Sequence, residues 1–226
     1  MTDALLLDYN GVVVDDEPLH CEAFRAVLAE EGLDLSRDEY YAAYLGLDDR
    51  ACFRKALYAD GRPLPPGDVG HLVARKGERY LALAARGLPL VPGVGAFVRE
   101  AARRARVAVV SGAVRREIEP GLVQAGIAGA VSAVVTSEDV ATSKPDPAGL
   151  RLALRRLGGA SSGPWRAVVA EDSLPGLAAA RELGAGRLAL ATAHPLAALA
   201  VADLVWTSFE GHHPDELGPL FRGVAA

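Results

Sequence analysis

The sequence predicts an α/β protein: a Rossmann-like parallel sheet core with a helical cap inserted after the first strand. Three observations carry this. Short apolar runs alternate with helical stretches through residues 94–206, the pattern of a mostly parallel sheet covered on both faces. A run of the same kind, residues 4–7, opens the chain. Between them lies a long stretch whose apolar positions keep helical spacing, with no convincing strand.

In chain order, Leu5-Leu6-Leu7 is unbroken because a central parallel strand must hide both faces. It ends on Asp8, before a turn marked by Asn10-Gly11. A carboxylate therefore stands at the carboxyl end of a buried strand, where open α/β sheets bind ligands. Asp15-Asp16-Glu17-Pro18 starts a helix with acidic residues and a proline in its first turn. Leu19, Ala23, Val27 and Leu28 form its apolar stripe, and it is expected to run to about Glu31 and stop at Gly32. Ser36 with Glu39 forms a capping box, and further helices fit 49–59 and 68–85, with 61–67 a loop by composition. Leu88-Pro89-Leu90-Val91-Pro92-Gly93 marks the return from the insert. The predicted domains are thus a core of residues 1–15 and 88–226 and a cap of residues 16–87.

The core then repeats helix and strand. A helix over 94–106 leads to a strand over 107–110, and a helix over 115–125, strained by Pro120-Gly121, to a strand over 133–136. Helices over 147–157, 174–183 and 195–200 lead to strands over 167–170, 188–191 and 203–206. Right-handed crossovers put every strand's carboxyl end on one side.

Composition narrows the function. With 226 residues and 50% hydrophobic content the chain can bury a sizeable core. A net charge of -5 leaves no basic footprint for nucleic acid or an anionic membrane. Cys21 and Cys52 show no metal-ligand spacing and read as buried, reduced thiols. No basic leader precedes the first strand and no apolar run reaches membrane-spanning length, so a cytoplasmic protein is expected, a monomer or weak dimer acting on a small molecule.

Three strands end in chemistry: Asp8, then Ser111-Gly112, then Glu171-Asp172, with Lys144 in Ser143-Lys144-Pro145-Asp146-Pro147 between the last two. Any one of these residues alone is more readily a helix cap or a solvated loop side chain. Together they have a common purpose. Asp8, Asp172 and Glu171 make a hard-oxygen cluster that repels itself unless a cation enters, and Mg2+ accepts carboxylates together with phosphate oxygens. The Ser111 hydroxyl and the amides around Gly112 can bind phosphoryl oxygens, Lys144 can offset their charge, and Asp8 can attack phosphorus as a carboxylate nucleophile.

This constellation resembles the haloacid dehalogenase superfamily, within it the phosphatases and mutases similar to beta-phosphoglucomutase. The matching motifs are Asp8-Tyr9-Asn10-Gly11-Val12 with Asp16-Glu17-Pro18-Leu19-His20, Val110-Ser111-Gly112, Ser143-Lys144-Pro145-Asp146-Pro147 and Ala170-Glu171-Asp172-Ser173, spread over essentially the whole chain. The resemblance implies Asp8 as nucleophile and metal ligand, Ser111 and Lys144 as phosphate ligands, Asp172 as metal carboxylate, and Glu171 acting through metal-bound water. Asn10 would lend its backbone carbonyl to the metal. His20, the turn 45–50 with Arg50, and Lys76 resemble cap positions that reach substrate, with Arg50 and Lys76 suited to a second anionic group. The bland reading of Arg75-Lys76, a solvated polar helix face, is the weightier of the two.

One position departs. The family's phosphatases usually carry a second Asp two residues after the nucleophile as general acid/base, and here that residue is Asn10. A carboxamide cannot relay a proton near neutral pH, and such catalysis is worth about 10²–10⁴-fold. Four readings stand: a weak or substrate-restricted hydrolase favouring leaving groups that need no protonation, a phosphate-metabolite-binding protein impaired in catalysis, other chemistry of the superfamily, or an asparagine introduced at position 10 to trap a complex. Gly11-Val12 and Asp16-Glu17-Pro18-Leu19-His20 look like the phosphatase and mutase branch and argue against the third.

Overall fold

The structure is a computed structural model and describes residues 2–45, 47–59, 61, 69–158 and 164–224. Most of the loop expected over 61–67, the helix start expected at Asp68, and Gly46 in the cap turn lie outside these residues. Along the chain run β1 (Thr2–Leu7), α1 (Glu17–Glu30), α2 (Arg37–Ala43), α3 (Asp49–Ala59) and α4 (Val69–Ala84). There follow α5 (Val94–Ala101), β2 (Arg106–Val110), α6 (Arg115–Gln124), β3 (Val131–Val135), α7 (Ala148–Gly158), β4 (Trp165–Glu171), α8 (Leu174–Leu183), β5 (Gly186–Leu190), β6 (Leu204–Trp206) and β7 (Arg222–Val224). The chain divides into two compact units, residues 1–16 with 88–226, and residues 17–87.

The first unit is a sheet in the order β3-β2-β1-β4-β5-β6, all parallel, flanked by helices. β1 lies between β2 and β4, so both of its faces and both of its edges are covered, which is why four consecutive apolar residues from Ala4 to Leu7 are buried. Chain order reverses across β1, the switch point at which such sheets open a crevice beyond their carboxyl ends. Asp8 follows β1, Ser111 follows β2, and Glu171 closes β4, so the topology gathers residues 163 positions apart in sequence.

Tyr9 anchors the turn after β1. It is wholly buried, and its phenol donates to the Glu117 carbonyl of α6 at 3.0 Å. A Cβ on Gly121 would collide with that phenol, so Pro120-Gly121, expected as a source of strain, makes room for Tyr9 inside an unbroken α6.

Three expectations need correction. The helix expected over 94–106 ends at Ala101, where the backbone tightens (Arg103 N to Glu100 O 3.1 Å, Arg104 N to Ala101 O 3.0 Å) and frees Arg106 to enter β2. The helix expected over 195–200 is a single 3₁₀ turn, Leu196–Leu199. An additional strand, β7, runs antiparallel to β4 along Trp165–Ala167, below the stretch Val168–Glu171 that pairs with β5. It therefore covers the part of that edge which β5 does not reach.

Within the first unit the two crossings run side by side: Val14 bridges Leu90, Asp15 N donates to Pro89 O at 2.7 Å and Val91 N to Val13 O at 3.0 Å. The second unit is built of helices, with no strand among its described residues. Phe24 of α1 centres its core, with ring centroids of Phe53 at 4.7 Å, Tyr44 at 5.6 Å and Tyr40 at 5.8 Å. Ser36 and Glu39 close the capping box at the start of α2. Cys21 and Cys52 are buried thiols, and burial, then Asp49, push the Cys52 thiol up to about 12, which makes it inert. No helix among the described residues is long and apolar enough to cross a membrane.

Candidate active site

Asp8 leaves β1 still tied to the sheet, its backbone N–H bonded to Ala170 O at 2.9 Å, while its carboxylate Oδ1 accepts from Tyr9 N at 2.7 Å. The turn then curls on Gly11, at φ +70. A Cβ there would collide with the Asp172 carboxylate, so glycine serves both the backbone conformation and the close approach of the acid. Thr192, just beyond β5, donates its hydroxyl to Gly11 O at 2.7 Å and fixes the turn from the other side.

Asp8, Glu171 and Asp172 converge, each with a carboxylate oxygen within 4.8 Å of the others. Lys144 enters from the loop before α7, with Nζ 3.0 Å from Asp8 Oδ2 and in direct contact with Glu171 Oε1. Glu171 has no exposed surface, and its other oxygen accepts from Asp172 N, Ser173 N and Ser173 Oγ at 3.1, 3.1 and 2.8 Å. A Cβ on Gly176 would strike that carboxylate, so α8 can pack over it only with glycine there.

The charges do not balance. Three carboxylates meet one ammonium. Burial, then Glu171, push Asp8 up to about 7 against the pull of Lys144, and burial with Glu171 and Asp8 holds Asp172 well above the usual carboxylate range. Burial alone lowers Lys144, yet Asp8 and Glu171 together hold it above its ordinary value. An all-oxygen donor set with surplus negative charge fits a hard divalent cation such as Mg2+, which would relieve the repulsion.

This imbalance has a sign in stability. Between its unfolded value of 3.8 and about 7, folded Asp8 holds a proton that the unfolded chain has lost. Stability of the metal-free protein is therefore expected to fall as pH rises through that window. Urea denaturation in chelator at about pH 5, 6, 7 and 8 checks it; added Mg2+ should flatten the decline, and a chelated series that rises with pH contradicts it.

Ser111 keeps its place through its N–H on Val135 O (3.0 Å), and its Oγ accepts from Ala113 N (3.1 Å) and donates to Asn10 Oδ1 (3.3 Å). Gly112 follows with open space where a Cβ would stand, which leaves the backbone approachable. The structure thus brings Asp8, Asn10, Ser111, Gly112, Lys144, Glu171 and Asp172 to one set of strand ends. Sequence reasoning missed Thr192, a residue with no motif around it, and gave Asp16, a helix-start acid that opens the motif Asp16-Glu17-Pro18-Leu19-His20, no role in the site. Asp16 is wholly buried beside Asn10.

His20, Arg50 and Lys76 belong to the second unit. Lys76 is buried, which overturns the solvated reading: Nζ lies 2.8 Å from Asp49 Oδ1 and 2.5 Å from His20 Nδ1, and His20 stacks on Tyr80 at 4.3 Å. Its neighbour Arg75 pairs with Glu30 and Glu31 instead. Arg50 is exposed on the first turn of α3. His213 caps the last 3₁₀ segment, Pro214–Leu220.

Comparison with known proteins agrees with this fold. The haloacid dehalogenase-like hydrolase family matches residues 2–184. Protein CbbY of Cereibacter sphaeroides is 36% identical over 195 residues, 81% of this chain and 82% of the relative. Validoxylamine A 7'-phosphate phosphatase of Streptomyces hygroscopicus is 31% identical over 231 residues, 97% of this chain and all of the relative. Among solved structures, an Asp-to-Asn mutant of CbbY from Rhodobacter sphaeroides in complex with xylulose-(1,5)bisphosphate superposes with TM-score 0.79 at 28% identity, over 98% of this chain and 100% of that one.

Proposed function

Because this chain belongs to the haloacid dehalogenase-like hydrolase family, on its phosphatase branch, we propose that it is a magnesium-dependent phosphatase. Its substrate class is a small phosphorylated metabolite, a sugar phosphate or bisphosphate in keeping with its relatives. One observation carries the reading: Lys144 bonds Asp8 inside the buried carboxylate group at the strand ends. It supports an anion-binding role for the Lys144 ammonium beside Asp8, the carboxylate proposed as nucleophile.

In this reading the Ser111 hydroxyl, the amides at Gly112 and the Lys144 ammonium hold the phosphoryl oxygens. Asp8 attacks phosphorus, the bond to the leaving oxygen breaks with its electron pair, and an aspartyl-phosphate forms. Water then attacks phosphorus, phosphate leaves, and the Asp8 carboxylate returns. Asp8, Asp172 and the Asn10 main-chain carbonyl would hold Mg2+, which supplies charge neutralisation at the phosphoryl group. Glu171, committed on both oxygens, holds Lys144 in place. For a second anionic group the proposal rests on exposed Arg50, since Lys76 is engaged by Asp49 and His20.

Asn10 sets the substrate preference. Without a proton relay, leaving groups that depart as stable anions are favoured. With Mg2+, acetyl phosphate is expected to turn over and simple alkyl phosphates to lag by on the order of 10²–10⁴-fold, with both rates lost in chelator. Phosphate release across such a panel is the test. Binding of phosphorylated sugars without turnover or phosphoenzyme on any substrate would replace this reading with a catalytically impaired metabolite-binding protein.

A further inference from the structure

Asn10 and Asp16 form a pair that the scheme above leaves unused. The chain after Asp8 closes tightly: Val12, Val13 and Val14 all donate to Tyr9 O, at 3.3, 2.8 and 3.1 Å, and Gly11 N donates to Val14 O at 2.7 Å. This closure returns Asp16 to Asn10. The Asn10 Nδ2 lies 3.0 Å from each carboxylate oxygen of Asp16, a residue with no exposed surface. The opposite end of the same carboxamide, Oδ1, faces Ser111 Oγ at 3.3 Å.

We infer that Asp16 is a positioning residue for Asn10: it takes the amide nitrogen on both oxygens and so turns the Asn10 oxygen toward Ser111 and the phosphoryl site. Its catalytic meaning rests on the phosphatase reading; its geometry does not. Turned by 180°, the carboxamide would set an acceptor against two acceptors where water does not compete, a buried mismatch that costs about 1–3 kcal/mol. Position 10 therefore offers an acceptor. It can orient an O–H of water or of a leaving group but cannot take its proton.

The pair has a second consequence. A carboxylate introduced at position 10 meets the Asp16 carboxylate at hydrogen-bond distance, so N10D alone does not give a well-placed acid/base group. With the Asp16 charge removed as well, a carboxylate at position 10 is free to take the orientation that the carboxamide holds toward Ser111. Positions 10 and 16 are coupled, a carboxamide at one matched to a carboxylate at the other.

Full-length wild type, N10D, D16N and N10D/D16N test this, with Asp16→Ser as a second replacement should D16N fold poorly. Side-chain amide exchange of Asn10, read by ¹⁵N NMR in wild type and D16N, needs no turnover. It is expected to quicken about tenfold when the carboxylate acceptor is lost. In kinetics with Mg2+ and an alkyl phosphate, N10D/D16N is expected to exceed N10D in kcat by about tenfold, with KM little changed. Unchanged Asn10 exchange in D16N, or an equal gain from N10D in both backgrounds, overturns the inference. Absence of turnover in all four proteins removes the phosphatase reading and leaves the exchange measurement to decide the role of Asp16.

Discussion

Asp8→Asn is expected to lower phosphate release from acetyl phosphate by about 10⁴-fold or more, the scale seen when a nucleophile is removed, and to raise the stability of the metal-free protein at about pH 8. The two effects share one cause. Asp8 is held among Glu171 and Asp172, and burial with Glu171 pushes it up to about 7. Its ionised form is therefore costly at pH 8, and that form is also the proposed nucleophile. The amide keeps the shape, removes the charge and cannot form an acyl phosphate. Steady-state kinetics and a urea melt on the same preparation read both outcomes. Lost activity with lowered stability would mean that the variant had damaged the turn at Tyr9 instead.

Lys144→Met has the next largest effect, in the opposite direction for stability. Methionine keeps the stem but leaves Asp8 without its ammonium neighbour at 3.0 Å and Glu171 without the charge on Oε1. Removing one partner from a buried ion pair costs about 3–5 kcal/mol. The loss should shrink toward about pH 5, where the carboxylates take up protons in place of the ammonium, and Mg2+ should restore part of it at pH 8. Turnover should fall by about 10²–10³-fold, as expected for one missing donor to a phosphoryl oxygen. Denaturation at both pH values, with and without Mg2+, tests the charge argument. A pH-independent loss would assign Lys144 to packing.

The strands were legible because burial on both faces leaves an unbroken apolar run: residues 4–7, 107–110 and 167–170 all lie inside observed strands. β7 was not, since Arg222-Gly223-Val224 pairs for only three residues at an edge and carries no apolar period. The end of α5 was obscured by Ala- and Arg-rich sequence that favours helix beyond Ala101. Asp8, Ser111, Lys144, Glu171 and Asp172 were readable because strand-end position and residue chemistry point the same way. Lys76 was not, because its burial depends on Asp49 and His20, which are 27 and 56 residues away in sequence. Asp16 was hidden for a related reason. An acid before a proline reads as a helix start, and only the closed turn of residues 9–14 shows that it faces Asn10.

The central claim is that Asp8 carries the phosphoryl group. Peptide mass spectrometry of the full chain, acid-quenched during turnover of acetyl phosphate with Mg2+, tests it most directly. One phosphoryl group is predicted on the peptide containing Asp8, absent in chelator and in Asp8→Asn. Phosphate release with the adduct on another residue, or release that continues in Asp8→Asn, would contradict it.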